Sequence, residues 1–301
     1  MRKLIPLFWL LSILLLASAA RLIDKPGEAA DVKSPPEPPL EELLPLMKVS
    51  ENVYCVGRAG WGGFKPLSRG GNSNVFLIDG GSELALVDVG MTAGVDDTLK
   101  NVRALGFDPA KITKVFLTHS HWDHAAGLAE LQKRLPNAKV YGHRLCKETM
   151  GDGPGIYAVD YKPLGHVGGN VGEVVKDGDT VQVGKIKVGV IALPGHTPDS
   201  TGYLIDQATG RCCFTGDAAI GDQGKIKGVV GWISANWRSK LNAFDNTIDR
   251  LANLKLATIY PGHGLSIVGV GPVAESLKNC KWRLKQLMDI PDLGSMMPGD
   301  F

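Results

Sequence analysis

The sequence has no C-x-x-C pair, no long run of basic residues, no Arg-Arg pair and no usable internal repeat. Its cysteines, Cys55, Cys146, Cys212, Cys213 and Cys280, are odd in number and widely scattered, so they offer no thiolate metal motif. None has an identified general base beside it. They read as small buried residues, or as a disulfide whose partners spacing cannot assign. The adjacent Cys212 and Cys213, in a short apolar run, are expected to face opposite sides of a strand. Positive and negative residues nearly balance at 33 and 31, a formal charge of +2, and without a basic stretch there is no nucleic-acid footprint.

After Arg2-Lys3, the apolar run from Leu4 to Leu16 is short for a membrane span. Ala17-Ser18-Ala19 supplies a small-x-small cleavage pattern, so residues 1–19 are predicted to be a signal peptide. The expectation is an exported protein, periplasmic or extracellular, with no stable membrane span after cleavage; a retained anchor is the alternative. No cysteine follows the site to carry a lipid, and the missing Arg-Arg pair removes the twin-arginine route. Loss of Arg2 and Lys3 leaves the mature chain about neutral. Residues 20–47 carry Pro26, Pro35, Pro36, Pro38, Pro39 and Pro45 and read as an extended linker. The folded domain is placed at residues 48–301, long enough to bury a large core.

Within it, apolar alternation predicts strands at 52–56, 74–79, 84–88, 114–117, 138–141, 180–183, 185–192, 200–205, 211–215 and 257–260. Asp79-Gly80-Gly81-Ser82 reads as a hairpin turn. Helical spacing predicts helices over 95–105, ending at Gly106, and over 125–131, 240–254 and 273–288. The stretch 143–172 reads as irregular. Meandering strands with interspersed helices suit two sheets packed face to face with helices on the outer faces.

The densest chemistry is Thr118-His119-Ser120-His121-Trp122-Asp123-His124, in a strand-to-helix turn. Residues two apart in extended chain point the same way, so His119 and His121 can reach one ion. Asp123 and His124, past the bend, can face a neighbouring position. Imidazole and carboxylate are ligands of zinc-like metals. Three more turns share one format, an apolar strand followed by a metal-type residue: Pro194-Gly195-His196-Thr197, Thr215-Gly216-Asp217 and Pro261-Gly262-His263-Gly264.

This series, in this order from about Asn52 to Gly264, resembles the metallo-β-lactamase superfamily. The resemblance implies a four-layer αββα sandwich (an α/β fold) with metals at one edge of the sheets. It implies His119, His121 and His196 on a first ion, and Asp123, His124 and His263 on a second. Asp217 is similar to the carboxylate that bridges both ions in glyoxalase II-like and lactonase-like branches, and argues against antibiotic hydrolysis as the main activity. Asp88 matches an acidic position that braces the metal loops.

The implied cofactor is a pair of divalent ions, zinc in the first place, with iron or manganese as alternatives. Such a pair lowers the pKa of a shared water and polarises a carbonyl, with Asp123 orienting the nucleophile or taking its proton. The expectation is a hydrolase of a small ester, thioester or lactone. The alternatives are a β-lactamase-like amide hydrolase and a single-iron oxidoreductase similar to persulfide dioxygenases, which uses fewer ligands. A superfamily nuclease and a degenerate binding protein fit less well, since neither a basic surface nor a lost ligand is seen. A short segment after His263 weakens a glutathione-thioesterase reading. Candidate substrate contacts are Trp61, Phe64 and His166, with Trp232 and Trp237 open between substrate groove and core. His143 reads as structural. The partner is a small molecule; oligomeric state and substrate identity are not encoded legibly.

Overall fold

The computed structural model describes residues 40–58, 66–68, 73–150, 168–221, 226–234 and 237–290. The predicted signal segment lies outside them. Alternating apolar residues set the layers. In β2 (Val75–Asp79), Phe76 and Ile78 enter one buried cluster while Val75 and Leu77 enter another. In β3 (Leu84–Val87), Ala85 and Val87 share the first cluster, and Leu84 and Leu86 the second. These strands lie in a six-stranded sheet ordered β1 (Val53–Gly57), β2, β3, β4 (Ile112–Phe116), β5 (Lys139–His143) and β6 (Glu173–Val175). It is antiparallel from β1 to β3 and parallel from β3 to β6.

The second sheet opens with an antiparallel meander: β7 (Thr180–Val183), β8 (Ile186–Ala192), β9 (Thr201–Gln207) and β10 (Gly210–Gly216). β11 (Thr258–Pro261) then runs parallel to β10, and the short β12 (Ile267–Val268) closes the edge. In β8, Ile186, Val188 and Val190 face the first sheet while Ile191 faces outward. Cys212 and Cys213 divide between the inner and outer clusters as their adjacency predicts, and all five cysteines are free and buried.

Helices cover both outer faces. On the first sheet lie α2 (Val95–Ala104), α3 (Trp122–Ala125), α4 (Leu128–Arg134) and α5 (Arg144–Met150), with Val95, Leu99 and Val102 one helical face apart. On the second lie α6 (Leu241–Asn253), through Phe244, Ile248 and Leu251, and α7 (Val270–Met288), through Val273, Leu277, Cys280 and Leu284. The result is the expected αββα sandwich. Between the sheets Phe76, Phe214 and Tyr260 pack with ring centroids 4.6–5.5 Å apart. Full burial of each such ring contributes roughly 1.5–3 kcal/mol. No described helix is long and apolar enough to cross a membrane.

Four elements depart from the sequence expectation. A helix, α1 (Leu40–Met47), forms around Pro45 where an extended linker was expected, and Met47 is completely buried in the inter-sheet core. Residues 144–150, expected to be irregular, form α5. The short strands β6 and β12 were not predicted.

Chain direction places the site. β3 and β4 are parallel to each other, β10 and β11 likewise, and β8 runs with β10, so these strands end toward common edges. The two edges meet because Thr201 N–H donates to Thr118 O at 2.7 Å and Tyr203 Oη–H donates to Leu117 O at 2.7 Å. The turns after β3, β4, β8, β10 and β11 carry Asp88, His119–His124, His196, Asp217 and His263.

Candidate metal centre

The turns after β4, β8, β10 and β11 bring seven side chains together. His119, His121 and His196 form one group whose ligand atoms lie within 4.8 Å of one another, and Asp123, His124 and His263 form another. In the first, His121 Nδ1 is 3.1 Å from His119 Nε2 and 2.9 Å from His196 Nε2. In the second, His263 Nε2 is 3.0 Å from Asp123 Oδ2 and 3.3 Å from His124 Nε2. Asp217 stands between. Its Oδ2 is 3.5 Å from His196 Nε2 and its Oδ1 is 3.3 Å from His124 Nε2.

Surrounding hydrogen bonds assign the imidazole tautomers. His124 Nδ1–H donates to Asp88 Oδ2 at 2.8 Å, and His196 Nδ1–H donates to the Trp232 carbonyl at 2.6 Å. His119 Nδ1–H donates to Thr118 Oγ1 at 3.1 Å, whose hydroxyl donates onward to Asp88 Oδ2 at 2.8 Å. Each of these three rings therefore turns an Nε2 lone pair inward. Asp217 Oδ1 is buried and accepts no hydrogen bond of normal geometry. Lone pairs converging on a buried, unsatisfied carboxylate oxygen suit a cation.

Charge gives the same result. Burial, reinforced by neighbouring imidazoles, holds His119 well below the usual histidine range and His121 at about 3, so both are neutral near pH 7. Burial would also depress His124, but the carboxylates of Asp217, Asp123 and Asp88 outweigh it and hold the ring well above its ordinary value. Burial likewise opposes ionisation of Asp217, and His263, His124 and His196 overcome it, keeping that carboxyl well below its usual range. These residues fit a pair of divalent ions.

The family model described as the metallo-beta-lactamase superfamily matches residues 68–263. The chain belongs to this superfamily. Among curated members, it is 26% identical over 198 residues to the thioesterase pkgB of Emericella nidulans, covering 66% of this chain and 47% of that one. It is 33% identical over 119 residues to the hydroxyacylglutathione hydrolase of Bradyrhizobium sp., covering 39% of each. The match thus spans less than half the length of either relative. Of solved metallo-β-lactamase folds, BJP-1, a subclass B3 metallo-beta-lactamase of Bradyrhizobium japonicum, superposes with a TM-score of 0.60 at 20% identity, covering 80% of this chain and 92% of that one. At that identity the likeness concerns the fold.

The superfamily edge is braced by residues both legible and hidden in the sequence. Asp88, singled out from its position, adopts a left-handed φ of 60° and accepts the Thr118 N–H at 2.8 Å besides its bond to His124. Asn74 and Asp199 were missed. Asn74 Nδ2 donates to Pro261 O at 2.9 Å and Gly264 O at 2.8 Å, clamping the His263 turn. Asp199, fully buried, accepts the Ser120 N–H at 3.0 Å, tying the His196 turn to the His119–His121 turn. Acid or amide side chains near strand ends were the only signal for either. Gly262 and Gly231 are steric requirements. A Cβ on Gly262 would fall 2.3 Å from Asp217 Oδ1, and one on Gly231 would fall 2.9 Å from His196 Nδ1.

His143 joins neither metal group; its Nδ1 accepts the Leu145 N–H at 3.2 Å. Trp61, Phe64 and His166 lie outside the described residues. Trp237 packs its ring edgewise on His121, centroids 4.5 Å apart, and lies 5.5 Å from His196.

Proposed function

We propose that the chain is a dinuclear metal-dependent hydrolase of a small ester, thioester or lactone. The observation that carries this is Asp217, one carboxylate with an oxygen directed toward each of two ligand triplets. His119, His121 and His196 would hold one ion and Asp123, His124 and His263 the other, with Asp217 shared. Zinc suits this nitrogen-rich set, with iron or manganese as alternatives. When bound, such a pair lowers the pKa of a water and polarises a carbonyl.

The chain's own residues do the rest. Asp88 and Thr118 fix the orientation of His124 and His119, so no reorganisation is needed as charge develops. Asp123 directs Oδ2 at His263 and keeps its second oxygen to orient the nucleophile and hold its proton. The thioesterase and hydroxyacylglutathione hydrolase relatives support ester-type chemistry.

Metal analysis should find close to two ions per chain, and Asp217→Ala should lose metal and ester hydrolysis together. Full activity in that variant would overturn the reading. A panel of an acyl-glutathione, an acyl-homoserine lactone and a cephalosporin separates the thioester, lactone and amide cases. Iron with oxygen uptake would instead identify an oxidoreductase. We also propose export through residues 1–19; N-terminal sequencing of the protein outside the cytoplasm should begin near residue 20, and an intact, cytoplasmic chain would refute it.

A further inference from the structure

Three imidazoles of the metal centre are turned by hydrogen bonds: His119 through Thr118, His124 through Asp88 and His196 through the Trp232 carbonyl. His121 is packed by a ring. The Trp237 indole lies edge-on to it, with centroids 4.5 Å apart and planes at 62°, and reaches His196 at 5.5 Å and 63°. His121 presents Nδ1 to the centre, 3.1 Å from His119 Nε2 and 2.9 Å from His196 Nε2. The χ2 torsion of histidine is broad, so the ring plane is set by what packs against it.

The backbone that carries Trp237 is tied to the same ligands. Trp237 N–H and Ser239 N–H both donate to Ser234 O at 3.1 Å, and Ser234 N–H donates to Ser239 Oγ at 3.1 Å. Ser239 Oγ–H then donates to His196 O at 2.6 Å, and Lys240 N–H donates to Gly195 O at 2.9 Å. Inside this turn Arg238 takes a left-handed φ of 54°, a conformation that a long side chain rarely adopts and that its surroundings must impose. A strained turn, fastened to the backbone of one ligand, thus sets the indole against the ring of another. Edge-to-face ring contacts of this kind are attractive beyond the area they bury, and support from behind is what keeps a ligand preorganised.

We propose that Trp237 is a positioning residue for the ion of His119, His121 and His196: its indole fixes the plane of the His121 imidazole with Nδ1 facing that ion. The inference rests on the two-ion reading above and adds an aromatic support to it.

The test follows zinc occupancy at each position by anomalous diffraction, from crystals of the full chain equilibrated with buffered free zinc. In Trp237→Ala, half-occupancy among His119, His121 and His196 should need about tenfold more free zinc, equivalent to about 1.4 kcal/mol. The position among Asp123, His124 and His263 should shift several-fold less. Trp237→Phe, which keeps an aromatic edge, should recover most of the affinity. Occupancy curves for Trp237→Ala that match the wild type overturn the proposal. Equal losses at both positions overturn it too, since a generally loosened fold would give them. Should Trp237→Ala fail to fold, Trp237→Leu carries the same comparison against Trp237→Phe. If the wild type takes up no divalent ion, the two-ion reading fails, and the His121 ring in metal-free crystals becomes the readout. A ring plane ordered in the wild type and in Trp237→Phe, but spread over several orientations in Trp237→Ala, then supports the positioning role. A ring ordered alike, or disordered alike, in all three proteins overturns it.

Discussion

Asp88→Asn changes one atom of a buried carboxylate and, on the proposed dinuclear reading, should weaken the hold on one of two metal ions. Asp88 Oδ1 accepts the Thr118 N–H, and Oδ2 accepts both the Thr118 hydroxyl and His124 Nδ1–H, each at 2.8 Å. An asparagine fits the space and tolerates the left-handed φ of 60°, but it has only one acceptor oxygen. Placed toward Thr118 N–H, that oxygen leaves the amide NH2 facing His124 Nδ1. The ring must then accept at Nδ1 and carry its proton on Nε2, the atom aimed at Asp217 and His263. Placed toward His124, it sets two N–H donors against each other at Thr118. Loss of such a bracing partner costs about 10–100-fold in metal affinity, or about 1.4–2.8 kcal/mol. Chelator competition should show the more weakly held ion released at 10–100-fold lower chelator, the other changing several-fold less, and far-UV circular dichroism of the metal-free protein unchanged. Release curves that superimpose on those of the wild type would refute the tautomer argument.

Other residues yield further expectations. Gly262→Ala sets a Cβ 2.3 Å from Asp217 Oδ1 and 2.7 Å from His124 Cε1; overpacking of this kind costs about 1–3 kcal/mol, and metal content after dialysis should fall below one ion per chain if neither ligand can yield. At the Glu83–Gly184 contact between the sheets, burial raises the Glu83 carboxyl, but bonds from Lys114, Thr113 and Gly184 outweigh it and set it at about 2. A lowered folded-state pKa stabilises above the unfolded value, near pH 4.5, and that contribution fades as pH falls toward 2. Glu83→Gln should therefore lose about 1–2 kcal/mol at pH 7, a figure reduced for partial solvent screening, and urea melts should show a flatter loss of stability between pH 4.5 and 2. The thiols, pushed up by burial to about 11 at Cys55 and about 12 at Cys280, should resist iodoacetamide in the folded protein and react at all five positions once unfolded.

The ligand turns were legible because strand-end histidines in close spacing have no packing explanation, and parallel strand directions then gather them at one edge. Asp88 was legible through the family resemblance, whose recurring acidic position it matches. Asn74 and Asp199 were not, since their partners are backbone groups 187 and 79 residues away in sequence, and nothing local distinguishes them from turn residues. α1 was hidden by Pro45, whose helix-breaking tendency is overridden where Met47 is buried between the sheets. β12, of two residues, is too short to show alternation. Trp232 was left open between core and groove because sequence does not report exposure; the structure shows the residue 65% exposed.

The central claim is that seven side chains hold two ions around Asp217. Anomalous diffraction at the zinc absorption edge, from crystals of the zinc-loaded protein, tests it directly. Two peaks are expected, one among His119, His121 and His196 and one among Asp123, His124 and His263, with an Asp217 oxygen within bonding distance of each. A single peak, or a second one away from Asp123, His124 and His263, would contradict it.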